Sequence, residues 1–271
     1  MLHELNLGTN LLSNHIRKTI LKMINSSGAG HIGSAFSLVE ILDSIFSIVD
    51  IEKIKNKQND RDRIIFSKGH AASGLYAVMF HYGLLTESDI SSYFKDDTLL
   101  AGHASHHTPY VEHSTGGLGH GLPVGVGIAI GLKRLKINSR VFVVLGDGEM
   151  HEGSNWEAIM YAGHHKLSNL ILFIDVNNLS KVGIVDDCCT LEPITNKFES
   201  FNINIHEVNG HDKQEISKVL EISKNLSKPT VIICRTVKGK GISYMENNIL
   251  WHYKCPKDDD YEKAVKELGE N

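Results

Sequence analysis

Apolar positions follow two rhythms along this chain. At 11–24 they recur at helical spacing (Leu12, Ile16, Ile20, Met23, Ile24), and they do so again at 37–48 (Leu38, Ile41, Leu42, Ile45, Phe46). That spacing predicts two early amphipathic helices. Short unbroken runs rich in Val, Ile and Phe stand at 63–66, 140–145, 170–174, 203–208 and 230–234, and runs of that length and composition read as buried strands. Between them, helical stretches are predicted at 71–82, 118–135, 154–165 and 213–223, with one short charged helix at 258–268. Strand and helix alternate, so the predicted fold class is α/β, doubly wound, with a mostly parallel sheet and helices on both faces. The charged, turn-rich stretch 53–62 is expected as a surface loop. No internal repeat, low-complexity tract or Pro/Ser linker interrupts the pattern, so 1–271 reads as a single domain.

Composition narrows the function classes. With 271 residues, 41% hydrophobic and 22% charged, the chain is long and apolar enough for a folded core, which excludes disorder. A formal charge of −4 and only short, interrupted basic stretches leave no broad cationic face, so no nucleic-acid partner is expected. Residues 1–4 show no export signal and no run of ~18 apolar residues occurs, so no membrane span is expected and the reading is cytoplasmic. Cys188, Cys189, Cys234 and Cys255 form no Cys-x-x-Cys pair, which points to buried or incidental thiols without structural zinc.

The chemistry-bearing motif lies at two predicted strand ends. The run 141–145 leads straight into Gly146-Asp147-Gly148-Glu149, and thirty residues after Asp147 the next strand closes on Asn177 within Asp175-Val176-Asn177-Asn178. In a parallel sheet both features fall on the carboxyl edge, where ligands bind. A carboxylate, an amide oxygen and a loop carbonyl such as that of Leu179 are hard oxygen ligands suited to Mg2+, with Ca2+ or Mn2+ as alternatives, and such an ion takes phosphate oxygens on its remaining positions. Glycines 146 and 148 would let backbone approach a diphosphate, and the helix from Ser154 would turn its positive end to it. Three residues alone would suit a plain Gly-Asp-Gly turn; the Asn-Asn at the next strand end favours the cofactor site.

Gly146-Asp147-Gly148 with Asn177 resembles the thiamine diphosphate signature, and the surrounding sequence resembles the transketolase family. The likeness runs in order through Ser67-Lys68-Gly69-His70-Ala71, Ser114-Thr115-Gly116-Gly117-Leu118-Gly119, Gly148-Glu149-Met150-His151-Glu152-Gly153 and Thr236-Val237-Lys238-Gly239-Lys240-Gly241 to Trp251-His252. The resemblance implies the thiamine diphosphate-binding fold. It implies that Asp147, Asn177 and the Leu179 carbonyl hold the metal and that Gly116, Leu118, Gly148 and Glu149 line the cofactor. By the same likeness Lys238, His70 and His252 lie near its diphosphate.

Of 16 histidines, four stand beside glycine or in family-like contexts: His31, His70, His103 and His252. One loop histidine is ordinarily a surface or capping residue, but a histidine that reaches a cleft can move protons near neutral pH. In transketolases such residues bind sugar hydroxyls and relay protons, and the resemblance implies that role for all four. His103 with His106 and His107 could instead form a zinc cluster, but no cysteine or carboxylate lies at ligand spacing. Gly28-Ala29-Gly30-His31-Ile32-Gly33 formally matches a dinucleotide fingerprint, yet it follows a helix, so it reads as a loop carrying His31 to the cleft.

The resemblance also implies what the chain lacks. The family's pyrimidine-binding domain, with its activating glutamate, has no counterpart before Asn271, whereas Glu152 matches the family residue that couples to that glutamate. The expected protein is therefore the N-terminal, diphosphate-binding subunit of a split transketolase, transferring a two-carbon ketol unit between sugars or sugar phosphates. Its expected partner is a second, C-terminal pyrimidine-domain subunit in an α2β2 assembly. An α-type subunit of a thiamine-dependent 2-oxoacid decarboxylase or dehydrogenase, and a transketolase-like enzyme of a branched or surface sugar pathway, are the alternatives. Ile32, Ala104-Ser105 and His120 depart from the family's usual residues and are expected beside the substrate channel.

Overall fold

Five parallel strands form the spine of a computed structural model that describes residues 9–180 and 183–269. Residues 1–4, read for an export signal, and Asn271 lie outside them. The elements run α1 (Thr9–Ser27), α2 (Ile32–Phe36), α3 (Val39–Phe46), α4 (Ile51–Lys55), β1 (Arg63–Phe66), α5 (Ala72–His81), α6 (Glu87–Ser91), α7 (Gly121–Arg134) and β2 (Val141–Gly146). They continue α8 (Gly153–His164), β3 (Leu170–Val176), α9 (Val185–Cys189), α10 (Ile194–Glu199), β4 (Asn204–Asn209), α11 (Lys213–Ser223), β5 (Thr230–Arg235) and α12 (Asp258–Glu267).

The sheet order is β1-β2-β3-β5-β4. Strand side chains alternate between two cores, as a period of two requires. Phe142 and Val144 of β2 join α1, α3, α5 and α11 on one face. Val141, Val143 and Leu145 join α7, α8 and α10 on the other. Every residue of β2 and β3 is buried, which explains why these strands read as unbroken apolar runs instead of alternating ones. The doubly wound α/β expectation holds.

Boundaries moved where side chains compete with the helix. The predicted helix at 37–48 is broken at Leu38, because the Ser37 hydroxyl bonds the Ser34 carbonyl at 3.1 Å and the Asp175 carboxylate at 2.6 Å. The helix predicted from 118 starts at Gly121, since the Gly119 N–H is held by Glu149 at 3.0 Å. The expected loop at 53–62 is partly helical: Asp50 accepts the Lys53 N–H and caps α4.

Register sets the site. Gly146 pairs with Asp175, and Asp175 with Cys234, so the residues that follow β2, β3 and β5 leave the sheet side by side. Ser67 and Lys68 follow β1, whose Phe66 pairs with Val144. The order of strands in the chain breaks between β3 and β5, and a crevice at the carboxyl edge is expected there.

Candidate active site

A cleft of about 700 Å³ opens on that carboxyl edge. Its floor is built from strand ends. Asp147 Oδ1 accepts the Gly148 N–H at 2.7 Å, and Oδ2 accepts the N–H groups of Asn177 at 2.8 Å and Asn178 at 2.6 Å. Asn177 Oδ1 accepts the Leu179 N–H at 3.2 Å, and the Leu179 carbonyl accepts from Lys238 Nζ at 2.7 Å. A carboxylate offers roughly four lone-pair sites and an amide or peptide oxygen two. Among the described residues, Asp147 Oδ1, Asn177 Oδ1 and Leu179 O therefore each keep a lone pair for a cation.

Two cations flank this floor. Lys68 makes a buried ion pair with Asp175, which also accepts from the hydroxyls of Ser37 and Thr236. Burial pushes the Asp175 carboxyl up, but Lys68 and these donors outweigh it and hold it below the usual range. Lys238 Nζ also lies within hydrogen-bond distance of His252 Nδ1, at 2.8 Å. Burial first, then Lys68, brings Lys238 down to about 8, with Asp147 and Asp175 opposing.

Above the floor the four predicted histidines meet. His70 and His252 stack at 5.7 Å between centroids, and His31 stands 5.3 Å from His70, 5.1 Å from His252 and 6.0 Å from His103. His31 adopts a left-handed backbone (φ 70°) just before α2, and its N–H bonds the His252 carbonyl at 2.7 Å. The loop reading of 28–33 thus agrees with the geometry. Burial, then the charges of Lys68 and the neighbouring histidines, keeps His70 well below the ordinary histidine range, so it is neutral at pH 7.

The remaining predicted residues divide. Gly116, Leu118, Gly148 and Glu152 line the cleft. Glu149 also borders it, but its carboxylate already accepts from Ser67 Oγ and the Gly119 N–H, so it anchors two loops. Ile32, Ala104, Ser105 and His120 do not line the cleft, contrary to expectation. Ile32 and Ala104 are core residues, and His120 turns its ring to the Gly117 and Leu118 carbonyls. Cys188 and Cys189 are exposed and Cys188 borders the cleft, so only Cys234 fits the description of a buried thiol in full. Among the described residues no group of three or more His, Cys, Asp or Glu side chains could hold a metal. No described helix is long and apolar enough to cross a membrane.

Sequence reasoning missed Lys68, Asp175, Ser34 and Tyr253. The first two stood inside quoted motifs, yet a partner 107 positions away carries no local signal. Ser34 borders the cleft, is 1% exposed and its hydroxyl has no hydrogen-bond partner among the described residues.

Comparison with known proteins decides the family. The family model described as "Transketolase, thiamine diphosphate binding domain" matches residues 9–271. The chain belongs to that family. It is 42% identical to an apulose-4-phosphate transketolase subunit of Actinobacillus succinogenes, over 93% of this chain and 92% of that one. It is 35% identical to human transketolase-like protein 2, over 91% of this chain but 40% of the relative. The transketolase of Campylobacter jejuni superposes with a TM-score of 0.88 at 30% identity, covering 96% of this chain and 42% of that one. This transketolase-family chain therefore spans about two fifths of the solved transketolase and nearly the whole of a relative that is itself named as one transketolase subunit.

The geometry fits the family's cofactor. A side-chain carbon added at Gly148 would approach only Ser180, at 3.5 Å, and one at Gly146 would come no closer than 3.5 Å to its nearest neighbour, Lys68. The protein itself therefore leaves room at both places, room that the glycines keep for a ligand to approach the backbone. The space they leave open, three oxygens with spare lone pairs, and an unpartnered buried hydroxyl together suit a metal diphosphate. The helix expected to aim at it, α8, opens on the cleft through Glu152, with a short 3-10 turn (Gly148–His151) between it and Asp147.

Proposed function

We propose that this chain is the diphosphate-binding subunit of a split, Mg2+-dependent transketolase that moves a two-carbon ketol unit from a ketose or ketose phosphate to an aldose. The observation that carries the reading is the meeting of Asp147, Asn177 and the Leu179 carbonyl at one strand edge beneath four converging histidines. Asp147, Asn177 and Leu179 would hold the metal. Lys238, His70 and His252 would face the diphosphate, with Gly116, Leu118 and Gly148 along the cofactor. When bound, thiamine diphosphate supplies the carbon centre that attacks the ketose carbonyl and stabilises the transferred fragment.

The chain's own residues do the rest. Lys68 and Lys238 set two ammonium groups beside the carboxylates of the floor, where they would meet the oxygens of an anionic metal-bound ligand. His70, held neutral by burial, and His252 would face phosphate or substrate oxygens. His31 and the exposed His103 stand towards the mouth, where substrate hydroxyls enter, and are placed to hold and return protons there. Glu152, at the rim, is placed to meet the glutamate of a pyrimidine-domain partner, and we read the working form as α2β2, with 1–271 as one domain of it.

Relatives named for apulose 4-phosphate and for 6-deoxy-6-sulfo-D-fructose make ketoses of dedicated sugar pathways the first donors to test. The chain mixed with its pyrimidine-domain partner, thiamine diphosphate and Mg2+ should transfer a two-carbon unit to an aldose. Cofactor binding without transfer from any ketose or ketose phosphate would overturn the reaction class while leaving the cofactor site standing.

A further inference from the structure

Among the described residues that line the cleft, Tyr253 is the one aromatic ring other than histidine. The cleft is layered. Lys238 on the floor reaches His252 at 2.8 Å, His31 lies 5.1 Å from His252, and His103 at 6.0 Å and Tyr253 at 5.4 Å stand around His31. The Tyr253 ring packs edge-on against His252 as well, at 4.7 Å, but Tyr253 is 53% exposed where His252 is 6% exposed, so it stands on the solvent side of that imidazole, at the mouth where a substrate enters.

Its backbone is held although the residue is 53% exposed. Trp251 is buried and its Nε1 donates to the Tyr244 carbonyl at 3.0 Å. Lys254 lies 4.5 Å over the Trp251 ring and pairs with Asp260 at 2.8 Å. On the opposite side Gly30 lets the chain close in, since a side-chain carbon there would stand 2.9 Å from the Tyr253 carbonyl. An anchored backbone that presents a rigid, two-torsion aromatic face to a cleft gives contact area at little ordering cost.

We infer that the Tyr253 ring is the platform for the C–H face of the sugar, a specificity-determining contact that rests on the transketolase reading. A sugar has an apolar face of C–H groups and a polar edge of hydroxyls. The ring takes the first and the imidazoles of His31 and His103 take the second, the usual division in a site of apolar walls with few polar groups.

The test uses the complex with the pyrimidine-domain partner, supplied with fructose 6-phosphate as donor. Tyr253→Ala should raise the donor KM roughly 5- to 20-fold, with kcat and cofactor affinity changed less than about twofold. Tyr253→Phe should keep the wild-type KM, because the face and not the hydroxyl makes the contact. An unchanged KM in the alanine variant, an equal rise in the phenylalanine variant, or failure of the alanine variant to assemble with its partner would each overturn the inference. Saturation transfer from tyrosine ring protons to the sugar's C–H protons reads the contact without turnover. Its absence in the wild type overturns the platform, whereas its presence without ketol transfer overturns the transketolase reading instead.

Discussion

Buried acids in two regions of this molecule behave oppositely. Behind the cleft, Glu40 of α3 receives both Arg17 terminal nitrogens at 2.8 Å and His211 Nδ1 at 2.9 Å. Burial pushes its carboxyl up, but His211 and Arg17 overcome that and take it down to about 2. Asp43 nearby is likewise matched by Lys213 at 2.5 Å and the Tyr82 hydroxyl at 2.6 Å. On the cleft floor Asp147 and Glu149 are equally buried, and burial leaves both raised, for Asp147 with Asp175 adding to it. Hydrogen bonds from neutral groups offset only part of the loss of water. In one region cations bond the acids directly; in the other Lys68 is taken by Asp175, and Asp147 and Glu149 are left to neutral donors.

That contrast breaks most visibly at Glu40. Glu40→Ala strands the Arg17 charge in the core and should cost about 3–5 kcal/mol in denaturant unfolding; a cost below about 1 kcal/mol would show that the network is not a closed unit. Acid should separate the two regions next. Because Glu40 is lowered from 4.5 to about 2, its contribution, about 3 kcal/mol, is present above pH 4.5 and lost as pH falls through 2. Asp147 and Glu149 are raised, so their burial costs stability above their ordinary values, and that cost is relieved as pH falls through the raised ones. Thermal unfolding across pH 2–7 should therefore show a loss limb that Glu40→Gln removes and a relief limb that it leaves intact.

Asp147→Ala sharpens the cleft side. It removes the one carboxylate among the proposed metal ligands and should weaken Mg2+-dependent thiamine diphosphate binding on the order of 100-fold by calorimetry; normal affinity would refute the metal assignment. The smallest effect is expected at Ser34. Deleting a buried hydroxyl without a partner should leave stability unchanged or raise it by up to ~1 kcal/mol, and a clear loss of stability would show that the hydroxyl is bonded in the folded protein.

Much of the fold was legible in the sequence. The unbroken runs at 141–145 and 170–174 marked strands buried on both faces, and a signature at their ends had to lie on one sheet edge, so the proximity of Asp147 and Asn177 followed from spacing. The four histidines were found by context and their rings do converge. Pairings across long separations were not legible. Nothing local says that Lys68 meets Asp175 or that His211 meets Glu40, 171 positions away. Helix starts failed for the same reason: Gly119 and Ser37 are drawn off by Glu149 and Asp175, partners supplied only by the tertiary fold. Proximity in sequence also misled, since Ile32 adjoins His31 yet points into the core.

The Lys238 ammonium on the Leu179 carbonyl has a corollary about order of assembly. That peptide oxygen has a second lone pair for a divalent ion, but an ion bound there crowds the ammonium, and a crowded lysine head turns to the nearest negative group. Under the proposed assignment, loading the ion and gripping the phosphate chain are one exchange, and neither component alone should occupy this site tightly.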